Sequence, residues 1–159
     1  MKRMSMLMAG LLLAAVATGC MSGDAATAFE AMNADRAANG VGGLGEHGDL
    51  VAKAEGWAVY LANASGGRCS METLVHSKLE VGAPDGWRNL GENVGCRIAG
   101  ADVASSVAPL EAAFMASPGH RANILNGWFN KGGVGFATVP AADHPGWVAV
   151  YEVQEFARV

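Results

Sequence analysis

SPGHRANIL, Ser117 to Leu125, is the stretch on which the reading of this chain turns. Proline suits the first helical position, because the N–H it lacks has no partner there, and a serine before it offers a capping hydroxyl. A short helix is therefore expected to open at Pro118. His120 then falls in the exposed first turn, among unpaired backbone N–H groups whose partial positive charge favours the neutral imidazole. A neutral imidazole binds a metal or accepts a proton, so the stretch is a candidate site, although alone it names no reaction.

Working outward, Ala104 to Ala116 reads as a helix running into this stretch, with Val107, Leu110, Ala113 and Phe114 inward and Pro109 marking its first turn. Downstream the period changes from helical to alternating. Val134, Phe136 and Thr138 interleave with Gly135 and Ala137 as one strand, and Trp147 to Phe156 (WVAVYEVQEF) forms another. Pro140 to Gly146 is the turn that makes them an antiparallel pair. Upstream, Asp24 to Asn39 reads as a helix capped by Asp24, with Ala28, Phe29, Met32 and Ala37 in its apolar stripe and Gly40 past its end.

Gly40 to Gly48 is a glycine-rich loop. A second helix follows from about Asp49 to Asn63, with Leu50, Ala54, Trp57, Ala58 and Leu61 on one face, ended by Gly66 and Gly67. From Arg68 to Arg88 no period is sustained, and Gly82, Pro84 and Gly86 mark a long, ordered, irregular connection that holds His76. Helices first and strands last imply an α+β sandwich, one sheet covered by helices.

The chain has 159 residues and a formal charge of −4. Lys2 and Arg3 precede an uncharged apolar run, Met4 to Val16, within the roughly 7 to 15 residues of an export signal and short of the roughly 20 needed to span a bilayer. Ala17, Thr18 and Gly19 directly before Cys20 resemble the bacterial lipobox, so acylation of Cys20 and tethering to a bacterial membrane are expected. The organisation expected is a lipoprotein-type signal over residues 1–19, a short tether over 20–27 and one domain over 28–159. Basic residues are scattered without a run, which excludes the electrostatic footprint of a nucleic-acid binder. Export places Cys69 and Cys96 in an oxidising compartment, so a disulfide between them is expected, worth roughly 3 to 4 kcal/mol in the chain-entropy model.

Two further polar residues lie outside any periodic pattern: His76 in the long connection and Glu92 in GEN. Two imidazoles and one carboxylate from separate segments match, if they converge, a three-ligand divalent site such as zinc takes. The same three could instead polarise a hydroxyl or hydrogen-bond each other. Arg121 and Asn123 read as structural, with Arg121 on a carboxylate or helix end and Asn123 on nearby backbone. His47 and His144 read as solvated loop residues, and the tryptophans as core and cleft-wall residues. Ser117 lacks a GxSxG elbow and reads as a cap, not a nucleophile.

GEN at Gly91 to Asn93, SPGHRANIL, GVGFA at Gly133 to Ala137 and VYEVQEF at Val150 to Phe156, in this order, resemble the CAP superfamily. It comprises cysteine-rich secretory, antigen 5 and plant pathogenesis-related proteins, with a large bacterial SCP-domain branch to which this SPGHRANIL type is similar. AFEAMNADRAANGVGGL resembles the family's first helix. The resemblance implies an α-β-α sandwich with a central antiparallel sheet, whose cleft binds zinc or other divalent ions in some members. It puts the two cavity histidines on His76 and His120 and the GEN glutamate on Glu92. The second cavity glutamate of eukaryotic members corresponds to Ser117, with Glu111 one helical turn earlier. The function implied is binding of a small ligand, lipid or peptide in that cleft. A metal-assisted, peptidase-like hydrolase and a non-catalytic envelope interaction protein are the alternatives, and no reaction is assigned.

Overall fold

The structure is a computed structural model that describes residue 21, residues 23–100 and residues 102–159. The expected export signal and Cys20 lie outside the described residues.

The helices are α1 Gly23–Ala38, α2 Gly48–Ser65, α3 Ala104–Ala116 and α4 Pro118–Ile124. The strands are β1 Gly45–Glu46, β2 Asn89–Ala99, β3 Lys131–Pro140 and β4 Val148–Arg158. They form one four-stranded sheet in the order β1-β3-β4-β2. β3 and β2 flank β4 antiparallel, and β1 adds to the edge of β3 in parallel. The α+β sandwich and the antiparallel pairing of β3 with β4 are as expected. Two strands are additions: β1 arises within the expected loop, and β2 forms around GEN, which carried no strand pattern. Helix α1 begins at Gly23 and so occupies most of the segment expected as a tether; Asp24 lies inside its first turn instead of capping it.

Alternation along β4 divides the core into two layers. Ala149, Tyr151 and Val153 pack with Ala54, Ala58, Leu61 and Ala62 of α2. Val150 and Phe156 point the other way, toward α1, α3 and α4, where Met32, Val107, Phe114 and Ile124 are buried. The sheet is thus covered on both faces.

The glycines of GVGFA explain how closely α2 lies on that sheet. A Cβ on Gly133 would stand 2.4 Å from the Val51 nitrogen, and one on Gly135 would stand 2.3 Å from the Glu55 nitrogen. Only hydrogen fits between strand and helix backbone at both positions. On the opposite face a Cβ at Gly95 of β2 would come within 2.7 Å of the Phe114 ring. The glycines that hide β2 from pattern reading are there to seat aromatic rings.

Pro109 lies inside α3 and does not open it, and Ala113 on that helix is exposed. On α1 the inward residue is Arg36, not Ala37. Its guanidinium donates to the carbonyls of Gly42, Ile124, Asn126 and Phe129, at distances from 2.5 to 3.3 Å. One of these, Ile124, closes α4, where the helix dipole favours a cation. Asn33 exchanges two bonds with the Leu44 backbone. The disulfide joins Cys69 to Cys96 across 5.7 Å between Cα atoms, tying the start of the 68–88 connection to β2.

Candidate functional site

Glu92 lies on β2, on the α2 face of the sheet, and its carboxylate is the hub of the site. Its Oε1 accepts from the Ser77 N–H at 2.9 Å and lies 2.8 Å from His76 Nδ1. Its Oε2 lies 3.6 Å from the Lys53 ammonium. Lys53 reaches across from α2, donating to Ser77 Oγ at 2.5 Å and to Glu155 Oε1 of β4. All three charged side chains are buried.

Burial works to raise Glu92, yet hydrogen bonds from Glu155, Ser77 and His76 hold it below the ordinary carboxylate value. Burial pushes Glu155 up to about 9, with Glu92 adding to the shift and Lys53 opposing it. The Lys53 contact alone argues for an ionised Glu155. One ammonium, however, neutralises one carboxylate, and a second uncompensated charge in a buried site is costly, so the proton belongs on Glu155. Ionised Glu92 can only accept, which places the His76 proton on Nδ1 and leaves Nε2 as the free nitrogen.

His120 stands in α4. Its backbone carbonyl accepts from Asn93 Nδ2 at 3.2 Å, and its ring meets Phe114 edge-on at 5.0 Å between centroids. Burial lowers its pKa, and a charge on His76 lowers it further. The neutral ring expected from a helix start is thus favoured, chiefly by desolvation. The two imidazoles feel one another electrostatically, His76 from the 68–88 connection and His120 from α4.

This arrangement does not supply a three-ligand divalent site. Glu92 acts as the acceptor behind His76, the position an orienting carboxylate takes, and a lysine ammonium already faces its other oxygen. Among the described residues, no group of three His, Cys, Asp or Glu side chains is arranged to hold a metal ion. Glu111 does not complete the set either. It is buried under α3, where its Oε1 accepts from Gln154 Nε2 at 2.7 Å. Burial, partly offset by hydrogen bonds from Glu152 and Gln154, pushes Glu111 up to about 7. Glu152 is raised as well, by burial and then by Glu111.

Ser117 occupies the N-cap position of α4, with Pro118 following, but its hydroxyl makes no capping bond. Asn123 does tie down backbone, donating to the Glu92 carbonyl at 3.1 Å and to Asn93 Oδ1 at 2.9 Å. Arg121 donates to Oδ1 of Asn39, the residue just past the C-terminal end of α1, and so lies at a helix end and not on a carboxylate. His47, expected to be solvated, is the N-cap of α2, its ring accepting from the Asp49 N–H. His144 is exposed in its turn, as expected.

His76 opens onto a groove of about 1080 Å³ between the outer face of α2 and the 75–83 segment. Trp57 and Tyr60, stacked at 4.4 Å, form one wall, and Val75 and Val81 form the other. Lys53, Ser77 and Lys78 join His76 at the polar part, whereas Glu92 sits behind it and His120 outside it. Trp57 Nε1 donates to the Val75 carbonyl at 3.0 Å and pins the segment to the helix. Trp57 is thus a cleft wall, as expected, but Trp87, Trp128 and Trp147 are exposed and no tryptophan is core.

Lys53, Ser77 and Glu155 were not singled out in the sequence. Lys53 stands three residues after Leu50 and four before Trp57, a cation on the inward stripe of a helix, and that signal was available. Glu155 was equally visible as a carboxylate in a strand that reads as buried on both faces.

The cysteine-rich secretory protein family model, CAP, matches residues 29–156. No protein of curated function is similar enough in sequence to match. Among solved structures, an extracellular protein containing an SCP domain from Bacillus anthracis is 23% identical, with TM-score 0.60 over 86% of this chain. An outer surface protein from Borrelia burgdorferi is 14% identical, with TM-score 0.60, over 85% of this chain and 92% of its own. A cysteine-rich secretory protein from Staphylococcus aureus is 17% identical, with TM-score 0.54, over 86% of this chain. The chain spans 40% of the length of the Bacillus protein and 39% of the Staphylococcus protein. At these identities the likeness is one of fold. With the family model covering most of the chain and the same α-β-α architecture in these structures, the chain belongs to the cysteine-rich secretory protein (CAP) family.

Proposed function

We propose that this is an exported, lipid-anchored CAP domain of the bacterial SPGH type that binds an amphipathic small molecule or lipid chain in the groove between α2 and the 75–83 segment. The observation that carries the reading is the groove itself. At about 1080 Å³ it has the capacity of a ligand site, with a stacked aromatic wall and a few polar groups at one part. The apolar body of the ligand lies on Trp57, Tyr60 and Val81. Its polar end meets His76 Nε2 and Lys78. Lys53, Glu92 and Glu155 hold His76 and Ser77 in place from behind.

Export is supported by the signal-like Met1 to Gly19, by the Cys69–Cys96 disulfide, which belongs to an oxidising compartment, and by the extracellular and outer-surface similar proteins. Anchoring rests on Cys20 after Ala17, Thr18 and Gly19. A metal-assisted hydrolase is not favoured, because Glu92 is engaged by Lys53 and His76.

The test is titration with an environment-sensitive fluorescent fatty acid. Saturable binding is expected, weakened about tenfold or more by Val81→Asp, with Trp57→Ala as a second variant and thermal melts to confirm folding. No saturable binding, or equal binding by the folded Val81→Asp protein, overturns the groove reading. Cys20→Ser is expected to release the protein from membranes; retention there refutes the anchor.

A further inference from the structure

The end of the sheet where β3 begins and β4 and its partner β2 meet carries two exposed tryptophans and two unengaged arginines. Trp128 is 73% exposed and Trp87 is 44% exposed. Arg88 and Arg158, with Gly127 and Trp128, line a small pocket of about 280 Å³ that shares no residue with the groove. The Arg88 N–H donates to the Arg158 carbonyl at 2.8 Å, which fixes the two residues side by side. Neither arginine forms an ion pair among the described residues. On a chain of net charge −4 this is a local positive patch, not part of a general basic surface.

Each part of the patch matches one part of a phospholipid surface. Arginine recognises phosphate through its planar fork of donors, and tryptophan settles at the boundary between head groups and acyl chains. A soluble anion would satisfy the arginines but would leave the indoles in water. A second observation gives the patch its orientation. The Met21 N–H donates to Glu46 Oε1 at 2.9 Å, and Glu46 pairs with Gly132 at the start of β3. Met21, the residue that follows Cys20 in the sequence, is thus held near this same end of the sheet.

We propose that Trp87, Arg88, Trp128 and Arg158 form a membrane-contact surface that takes the phosphodiester head groups of anionic phospholipids. The patch is separate from the ligand groove and does not require Cys20 to be acylated. Where Cys20 is acylated, the patch sets which way the domain faces on its membrane.

The experiment is quenching of tryptophan fluorescence by brominated phosphatidylcholine, using the full chain on vesicles with and without phosphatidylglycerol. Quenching reports indole contact with the bilayer however the chain is attached, and residues 1–19 are common to parent and variants. Phosphatidylglycerol is expected to increase quenching, and most of that increase should vanish in Trp128→Phe. In the Arg88→Ala, Arg158→Ala double variant the phosphatidylglycerol concentration giving half the effect should rise about 30-fold, at roughly fivefold per arginine. Lysine at both positions should restore part of the effect, the share owed to charge without the guanidinium fork. The proposal is overturned if phosphatidylglycerol leaves quenching unchanged, if Trp128→Phe quenches as the parent does, or if the double alanine variant keeps the parent's response. Thermal melts of each variant confirm the fold, and failure of fatty-acid binding in the groove has no bearing on this result.

Discussion

Lys53 is the residue on which the candidate site depends most. Its ammonium bridges Glu155 and Ser77 and faces Glu92, at the buried floor of the groove. Lys53→Met would leave an ionised Glu92 without its counter-charge, at an expected cost of about 3 to 5 kcal/mol in denaturant unfolding. Glu155→Gln keeps the shape of the protonated acid, so its expected cost at neutral pH is under about 1 kcal/mol. A larger loss from the glutamine would show that Glu155 is ionised. The same protons set the pH profile. Glu155 rises from an ordinary 4.5 to about 9, Glu111 rises to about 7, and Glu152 is raised with it. The folded protein holds these protons more tightly than the unfolded chain does, so their contribution is full below about pH 4.5 and is lost as pH climbs through 7 toward 9. His120 and Glu92, both lowered, act in the opposite sense, and their contribution is lost as pH falls. Chemical melts at intervals from about pH 5 to 9 should show declining stability, with a shallower decline in Glu155→Gln.

At the scale of elements, the contact between β3 and α2 tolerates no side chain. Gly135→Ala would drive a methyl against the Glu55 backbone, at an expected cost of about 3 kcal/mol, the upper range for overpacking, because the obstacle is backbone and cannot rotate away. A thermal melt matching the parent would refute this account. The elements differed in how far they could be read beforehand. Helices α1 to α4 and strands β3 and β4 carry their own periods, and each was legible to within a few residues. Strand β2 was not, because its inner positions are Gly91, Asn93 and Gly95, residues that pattern reading assigns to turns. They serve a neighbour's needs: the glycines make room for rings, and Asn93 bonds Gln154 at 2.9 Å. The site was half legible for a similar reason. His76 and Glu92 stood out as polar residues outside any periodic pattern, which the family resemblance then placed in one cavity, and they do meet. Lys53 and Glu155 sit in a helix stripe and a buried strand, where the eye counts apolar residues and passes over the exceptions. His120 was expected in the same cavity; its ring meets Phe114 and feels His76 electrostatically, but it makes no hydrogen bond to Glu92.

For the whole molecule, the disulfide decides how firmly the 68–88 connection is held to the sandwich. Replacing both Cys69 and Cys96 with serine is expected to lower stability by about 3 to 4 kcal/mol, read as a shift in denaturant midpoint, and to weaken groove binding. Unchanged stability would mean that the connection is held by Trp57, Lys53 and Glu92 alone. Beyond stability, the hydrogen-to-backbone seating of α2 on Gly133 and Gly135 has a consequence for rates. The helical wall of the groove has no room to slide or tilt, so any widening of the open groove falls to the 75–83 side. Such widening breaks the Trp57–Val75, Lys53–Ser77 and His76–Glu92 bonds together. A ligand that grips both walls depends on those bonds to hold the walls together, so weakening any one of them is expected to shorten its stay more than it slows arrival.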